Sequence, residues 1–108
     1  MWNQRVQVIA TAQQHTKNYE NLVEQAGFEP VHKLDDWQPD EAIPARLSLV
    51  LDVVLFVFPL RGIKRSLFHR ITEQASRPAI LVVVEEPSGH PEQKEALQLA
   101  DDFLYSPF

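Results

Sequence analysis

The chain has no cysteine, which removes disulfides, thiolate metal sites and cysteine nucleophiles together. Only three of its 108 residues are glycine, and none forms the glycine-rich loop that cradles phosphates. Positive charge is in the minority: 10 Lys and Arg stand against 15 Asp and Glu, for a net charge of −5. That balance argues against a general nucleic-acid binder, because neutralising a phosphate backbone takes an excess of cations. No apolar run approaches the roughly 18 residues of a membrane span. The opening MWNQRVQVIA has one arginine and too short an apolar stretch for a signal peptide. The expectation is a soluble cytoplasmic domain, with no membrane partner and nucleic acid disfavoured.

What is present fits one globular domain. The composition is 44% hydrophobic and 23% charged, which is ordinary for a folded chain of this length. Residues 6–10 (VQVIA) read as a first strand. Residues 13–26 follow as a helix, with Tyr19, Leu22, Val23 and Ala26 at helical spacing and Gly27 placed for a left-handed cap. Residues 29–34 (EPVHKL) read as a second, edge strand containing Pro30. A helix is expected within 36–49, its start obscured by Pro39 and Pro44. The run 52–58 (DVVLFVF) reads as a strand buried on both faces. The remaining elements are an amphipathic helix over 62–76, an apolar strand over 79–84, a short helix over 91–100 and a last strand over 103–105. Alternation of this kind predicts an α/β protein, a doubly wound parallel sheet with right-handed crossovers.

Three phrases add a family resemblance. The ending ADDFLYSPF (100–108) resembles the last strand of response-regulator receiver domains, EQAGFEPV (24–31) their first helix end and second strand, and PAILVVV (78–84) their fourth strand. The resemblance covers essentially the whole chain and implies a flavodoxin-like, five-stranded parallel sheet of order 2-1-3-4-5. A working receiver transfers a phosphoryl group to an aspartate ending the third strand, next to Mg²⁺ held by two acidic residues after the first. A hydroxyl after the fourth strand and a lysine after the fifth complete the clamp. Laid on this chain, the acidic pair falls at Ala10 and Thr11, the phosphoacceptor at Val57, the hydroxyl at Val83 and the lysine at Ser106. Residues 9–14 and 56–60 contain no carboxylate. The resemblance therefore implies a pseudo-receiver: no enzyme, no cofactor and no metal, acting through a protein partner or a covalently linked output domain.

Other features compete for attention. Glu85, Glu86 and His90 are the oxygen and imidazole groups available after the fourth strand, either as metal ligands or as part of a solvated turn. Asp101 and Asp102 read as a structural turn. Arg61, Arg65 and His69 share one strip of the third helix, open to an acidic protein partner, to a nucleic-acid contact or to solvent. Ser66, Ser76 and Ser88 have no neighbouring His–Asp arrangement or nucleophile elbow. His15 and His32 stand alone in sequence and read as surface or partly buried side chains. Phe103 matches the switch aromatic of receivers; with its trigger missing, the expectation is a packed side chain. Phe103, Tyr105 and Phe108, with Arg61 and Arg65, are the candidate interaction surface.

Receivers carry a fifth helix after the Pro-Phe turn, and this sequence stops at Phe108. The expectation is a bare apolar strip over strands three to five, covered by a further segment of a longer protein or by a second copy in a homodimer. A flavodoxin-like sensor of a small ligand, using the loops after Ala10, Phe58 and Val84, is the alternative from another class. A metal-dependent enzyme built on Glu85, Glu86 and His90 is a third.

Overall fold

The computed structural model describes residues 4–43, 47–74, 76–85 and 91–105. Its elements are β1 (Arg5–Ile9), α1 (Gln13–Gln25), β2 (Glu29–Pro30), α2 (Leu47–Val50), β3 (Val53–Phe58), α3 (Ile63–Thr72), β4 (Ala79–Val84), α4 (Pro91–Leu99) and β5 (Asp102–Tyr105). The five strands form one parallel sheet of order β2-β1-β3-β4-β5. The alternating pattern predicted a parallel α/β sheet, and this strand order is the flavodoxin-like one that the family resemblance implied.

β-strand periodicity divides the apolar side chains between two faces. On one face Ile9, Val54, Phe56, Phe58, Ile80, Val82 and Val84 pack with Leu67, Phe68 and Ile71 of α3. Phe68 is central there, meeting Phe56 and Phe58 edge-on at centroid separations of 4.9 and 5.1 Å. On the other face Val6, Val8, Ala10, Leu55, Val57 and Val83 pack with Tyr19 and Val23 of α1. Gly27 follows α1 at φ +94°, and its N–H donates to the Glu24 carbonyl, so the left-handed cap stands where it was expected.

Two expected elements are much shorter than the sequence implied. β2 ends at Pro30, and among the described residues the chain then runs through turns, with helix at Leu47–Val50. Long-range side-chain bonds hold this segment instead of a local ladder. Gln7, fully buried in the middle of β1, accepts the Leu34 N–H at 2.9 Å and donates through Nε2 to Asp35 Oδ1 at 2.9 Å. Arg70 of α3 donates to the carbonyls of Pro39 and Glu41 at 3.2 and 3.3 Å and lies 5.9 Å from the Trp37 ring centre. Leu34, Trp37 and Ile43 are buried in the larger cluster without a helix to carry them. Pro44 lies outside the described residues.

The expected bare strip is also narrower than the sequence implied. Val83 is fully buried and Leu55 and Val57 nearly so; only Val53 and Leu81 on that face of β3 and β4 are part-exposed within the packed set. Val83 sits between Val57 of β3 and Leu104 of β5 in the register, and Leu104 is 40% exposed.

At the amino ends of the strands two carboxylates act as clasps. Asp52 accepts the Arg5 N–H at 2.7 Å and Arg5 Nε at 3.3 Å, tying β1 to the start of β3. Asp101 accepts Arg77 Nη1 at 2.9 Å and the Ile80 N–H at 2.7 Å, tying β4 to β5. The Asp101 turn is structural, as its sequence position implied.

Candidate functional site at the carboxyl ends of the strands

In open α/β sheets ligands bind outside the carboxyl ends of the strands, where the strand order reverses. Here that place lies between β1 and β3. Ala10, Val57 and Val83, from three separate strand ends, meet in one buried apolar cluster. Hydrocarbon fills the space beneath the mouth. Ser106 lies outside the described residues.

Thr11 fares differently. It is exposed, and its hydroxyl joins the β1 and β3 loops: Oγ1 accepts the Arg61 N–H at 3.1 Å and donates to the Pro59 carbonyl at 3.4 Å. The Phe58–Pro59 peptide is cis. Gly62, which opens α3 at φ +60°, turns the chain from this loop into the helix; a side chain there would be strained. Glu85, just after β4, donates its N–H to the Phe58 carbonyl at 3.2 Å, while its carboxylate lies 3.6 Å from His15 Nδ1 of α1.

These loops enclose a cavity of about 290 Å³ lined by Thr11, Ala12, His15, Val57, Phe58, Pro59, Arg61 and Glu85. Thr11 also borders a neighbouring cavity of about 380 Å³ beside Lys17, Glu20, His32, Asp35 and Lys64. His32 there spans two carboxylates, with Nε2 3.2 Å from Glu20 and Nδ1 3.0 Å from Asp35. Both histidines are exposed side chains as expected, but each is joined to carboxylates that the linear sequence did not associate with it. Of the three expected metal-ligand candidates Glu85 alone is described; Glu86 and His90 lie outside the described residues, as does Ser88.

The candidate interaction surface divides similarly. Arg61 and Arg65 are exposed on the α3 side, and His69 is part-buried with its ring 5.7 Å from that of Phe68. Phe103 is 44% exposed and Tyr105 47% exposed, their rings edge-to-face at 5.8 Å on β5. The expectation of a packed Phe103 is therefore corrected. β5 is an outer strand of the sheet, with a neighbouring strand, β4, on one flank only among the described residues. Phe108 lies outside the described residues.

No protein-family model matches the chain, and no curated protein sequence does either. Solved structures do. The chain is similar to a CheY-like response-regulator receiver domain from Methylobacillus flagellatus at a TM-score of 0.67 and 19% identity, covering 99% of this chain and 89% of that one. It is similar to an orphan response regulator of H. pylori at 0.58 and 23%, covering 97% and 84%. A response regulator from Thermotoga maritima matches at 0.61 and 17%, covering 99% and 87%. The class these define is the receiver fold: a five-stranded parallel sheet of order 2-1-3-4-5 flanked by helices. Among the described residues, no helix is long and apolar enough to cross a membrane.

Proposed function

We propose that the chain is a pseudo-receiver, a regulatory protein-interaction domain of two-component-type signalling that works without phosphorylation. The observation that carries this reading is the cluster of Ala10, Val57 and Val83. On the receiver pattern these positions belong to the acidic pair, the phosphoacceptor and the hydroxyl. A phosphoryl group and its metal need oxygen ligands and compensating charge. Methyl groups supply neither, and a lone carboxylate buried among them would have no partner. The domain then acts by occupancy of a surface, toward a protein partner or a linked output domain in the cytoplasm, or as a homodimer.

The test is intact-mass measurement after incubation with a small phosphodonor and Mg²⁺. The parent mass is expected unchanged. A stable phosphoryl adduct on an acidic residue would overturn the reading.

A second reading has its own support. The cavity lined by Thr11, His15, Arg61 and Glu85 has an apolar floor and convergent polar groups, which suits a small-ligand sensor. A thermal shift with a nucleotide or a small metabolite, abolished by Arg61→Ala, favours that reading; no shift across such a panel counts against it.

A further inference from the structure

Charge is matched unevenly around the two cavities at the carboxyl ends of the strands. Their walls carry three carboxylates, Glu85 in the smaller cavity and Glu20 and Asp35 in the larger. Each carboxylate stands beside an imidazole. Glu85 lies 3.6 Å from His15, while Glu20 and Asp35 lie 3.2 and 3.0 Å from the two nitrogens of His32. Asp35 also accepts the buried Gln7 amide at 2.9 Å.

The same walls carry three cations, Arg61 in the smaller cavity and Lys17 and Lys64 in the larger. Among the described residues, none of these three side chains makes an ion pair or a hydrogen bond. The two lysines approach one cavity from different elements, Lys17 from α1 and Lys64 from α3, and Lys64 is part-buried. A part-buried ammonium with no counter-charge favours an incoming anion. A cationic ligand would find the carboxylates already engaged and the three cations against it. Thr11 belongs to both walls, so the cavities adjoin, and the smaller one adds an apolar floor of Val57, Phe58 and Pro59.

We propose that the two cavities together bind a small organic phosphate, a dianion on a compact apolar body, reversibly and without Mg²⁺. Its head lies at the shared Thr11 wall, between the Arg61 guanidinium and the two lysines. A guanidinium matches phosphate oxygens in a fork, and lysine ammoniums serve as point charges for the same group. The apolar body covers Phe58 and Pro59. The inference rests on the small-ligand reading and names the class of ligand that this reading leaves open.

Phenyl phosphate is the probe, titrated by calorimetry at low ionic strength, where charge is least screened. Benzyl alcohol and benzylammonium are its neutral and cationic counterparts. Saturable binding of phenyl phosphate is expected, with inorganic phosphate weaker and neither counterpart bound. Lys64→Gln should weaken binding at least about fivefold, and Lys17→Gln with Lys64→Gln together more than about tenfold. Lys94→Gln removes the same charge from exposed α4, outside both walls, and should leave the affinity unchanged. If Lys64→Gln unfolds, Lys17→Gln decides alone. No binding of phenyl phosphate, equal binding of benzyl alcohol or inorganic phosphate, or an equal loss at Lys94→Gln would each overturn the inference. A neutral ligand whose thermal shift is abolished by Arg61→Ala would overturn it too, yet leave the small-ligand reading standing. No shift with any small ligand removes both. The phosphodonor result stays separate, since reversible binding leaves the mass of the chain unchanged.

Discussion

Gln7 Oε1 accepts the Leu34 N–H at 2.9 Å, across 27 residues of chain, at a site closed to water. One amide side chain thereby fixes the turn that stands where a second strand and helix were expected. Its other end donates to Asp35, which in turn lies 3.0 Å from His32.

Replacing Gln7 by Leu keeps the volume and deletes both bonds, leaving the Leu34 N–H buried without a partner. Such a group costs about 1–3 kcal/mol, so the urea midpoint of Gln7→Leu should fall by a corresponding amount with an unchanged slope. A midpoint equal to that of the parent would show that the turn is held by other contacts.

Phe68 carries the packing between α3 and the sheet, fully buried against Phe56 and Phe58. Phe68→Ala should cost about 3–5 kcal/mol by equilibrium unfolding, the range for removing a buried aromatic. Phe68→Leu should cost clearly less, because most of the volume is kept.

The acid limb of stability follows from the two clasps. The Arg5 backbone N–H and guanidinium hold the Asp52 carboxyl below its ordinary value; the Arg77 guanidinium, with the Ile80 N–H, does the same for Asp101. Both carboxyls are thus more acidic folded than unfolded. Their contribution is fully present above the unfolded value near 3.8 and is lost as pH falls through the lower folded values. Asp52→Asn and Asp101→Asn should each flatten the loss of stability below about pH 4, with little change in slope between pH 5 and 8. The effect at Asp101 should be modest, since its side chain is half exposed and the pair is screened by water. Unfolding midpoints across that pH range check both statements.

How much of this was legible in the sequence depends on the range of the forces. β4 was read over 79–84, its observed span, because an uninterrupted apolar run between turn residues leaves one buried-strand solution. α1 was read to within one residue, because its periodicity and Gly27 agree. The segment after Pro30 was misread, because the bonds that hold it come from Gln7 and Arg70, which are remote in sequence. The signal was faint: a single glutamine inside the apolar strand VQVI, on the face that faces the core. Ala10, Val57 and Val83 were singled out by the spacing of receiver motifs, and they share one buried cluster. The Thr11–Arg61 and His15–Glu85 contacts were missed, because nothing in the linear order relates a loop hydroxyl to an amide 50 residues away. The packed reading of Phe103 gave too little weight to its place on β5, which the expected strand order already put at the end of the sheet.

The central claim is that the receiver's acidic pocket has been exchanged for hydrocarbon at the strand ends. Val57→Asp with equilibrium unfolding, in the presence and absence of Mg²⁺, tests it most directly. The account predicts a loss of about 3 kcal/mol or more, because the new carboxyl replaces a buried methyl-lined packing contact with Ala10 and Val83, and Mg²⁺ should recover none of it. A variant as stable as the parent, or one restored by Mg²⁺, would mean that a metal-binding pocket persists and would contradict the account.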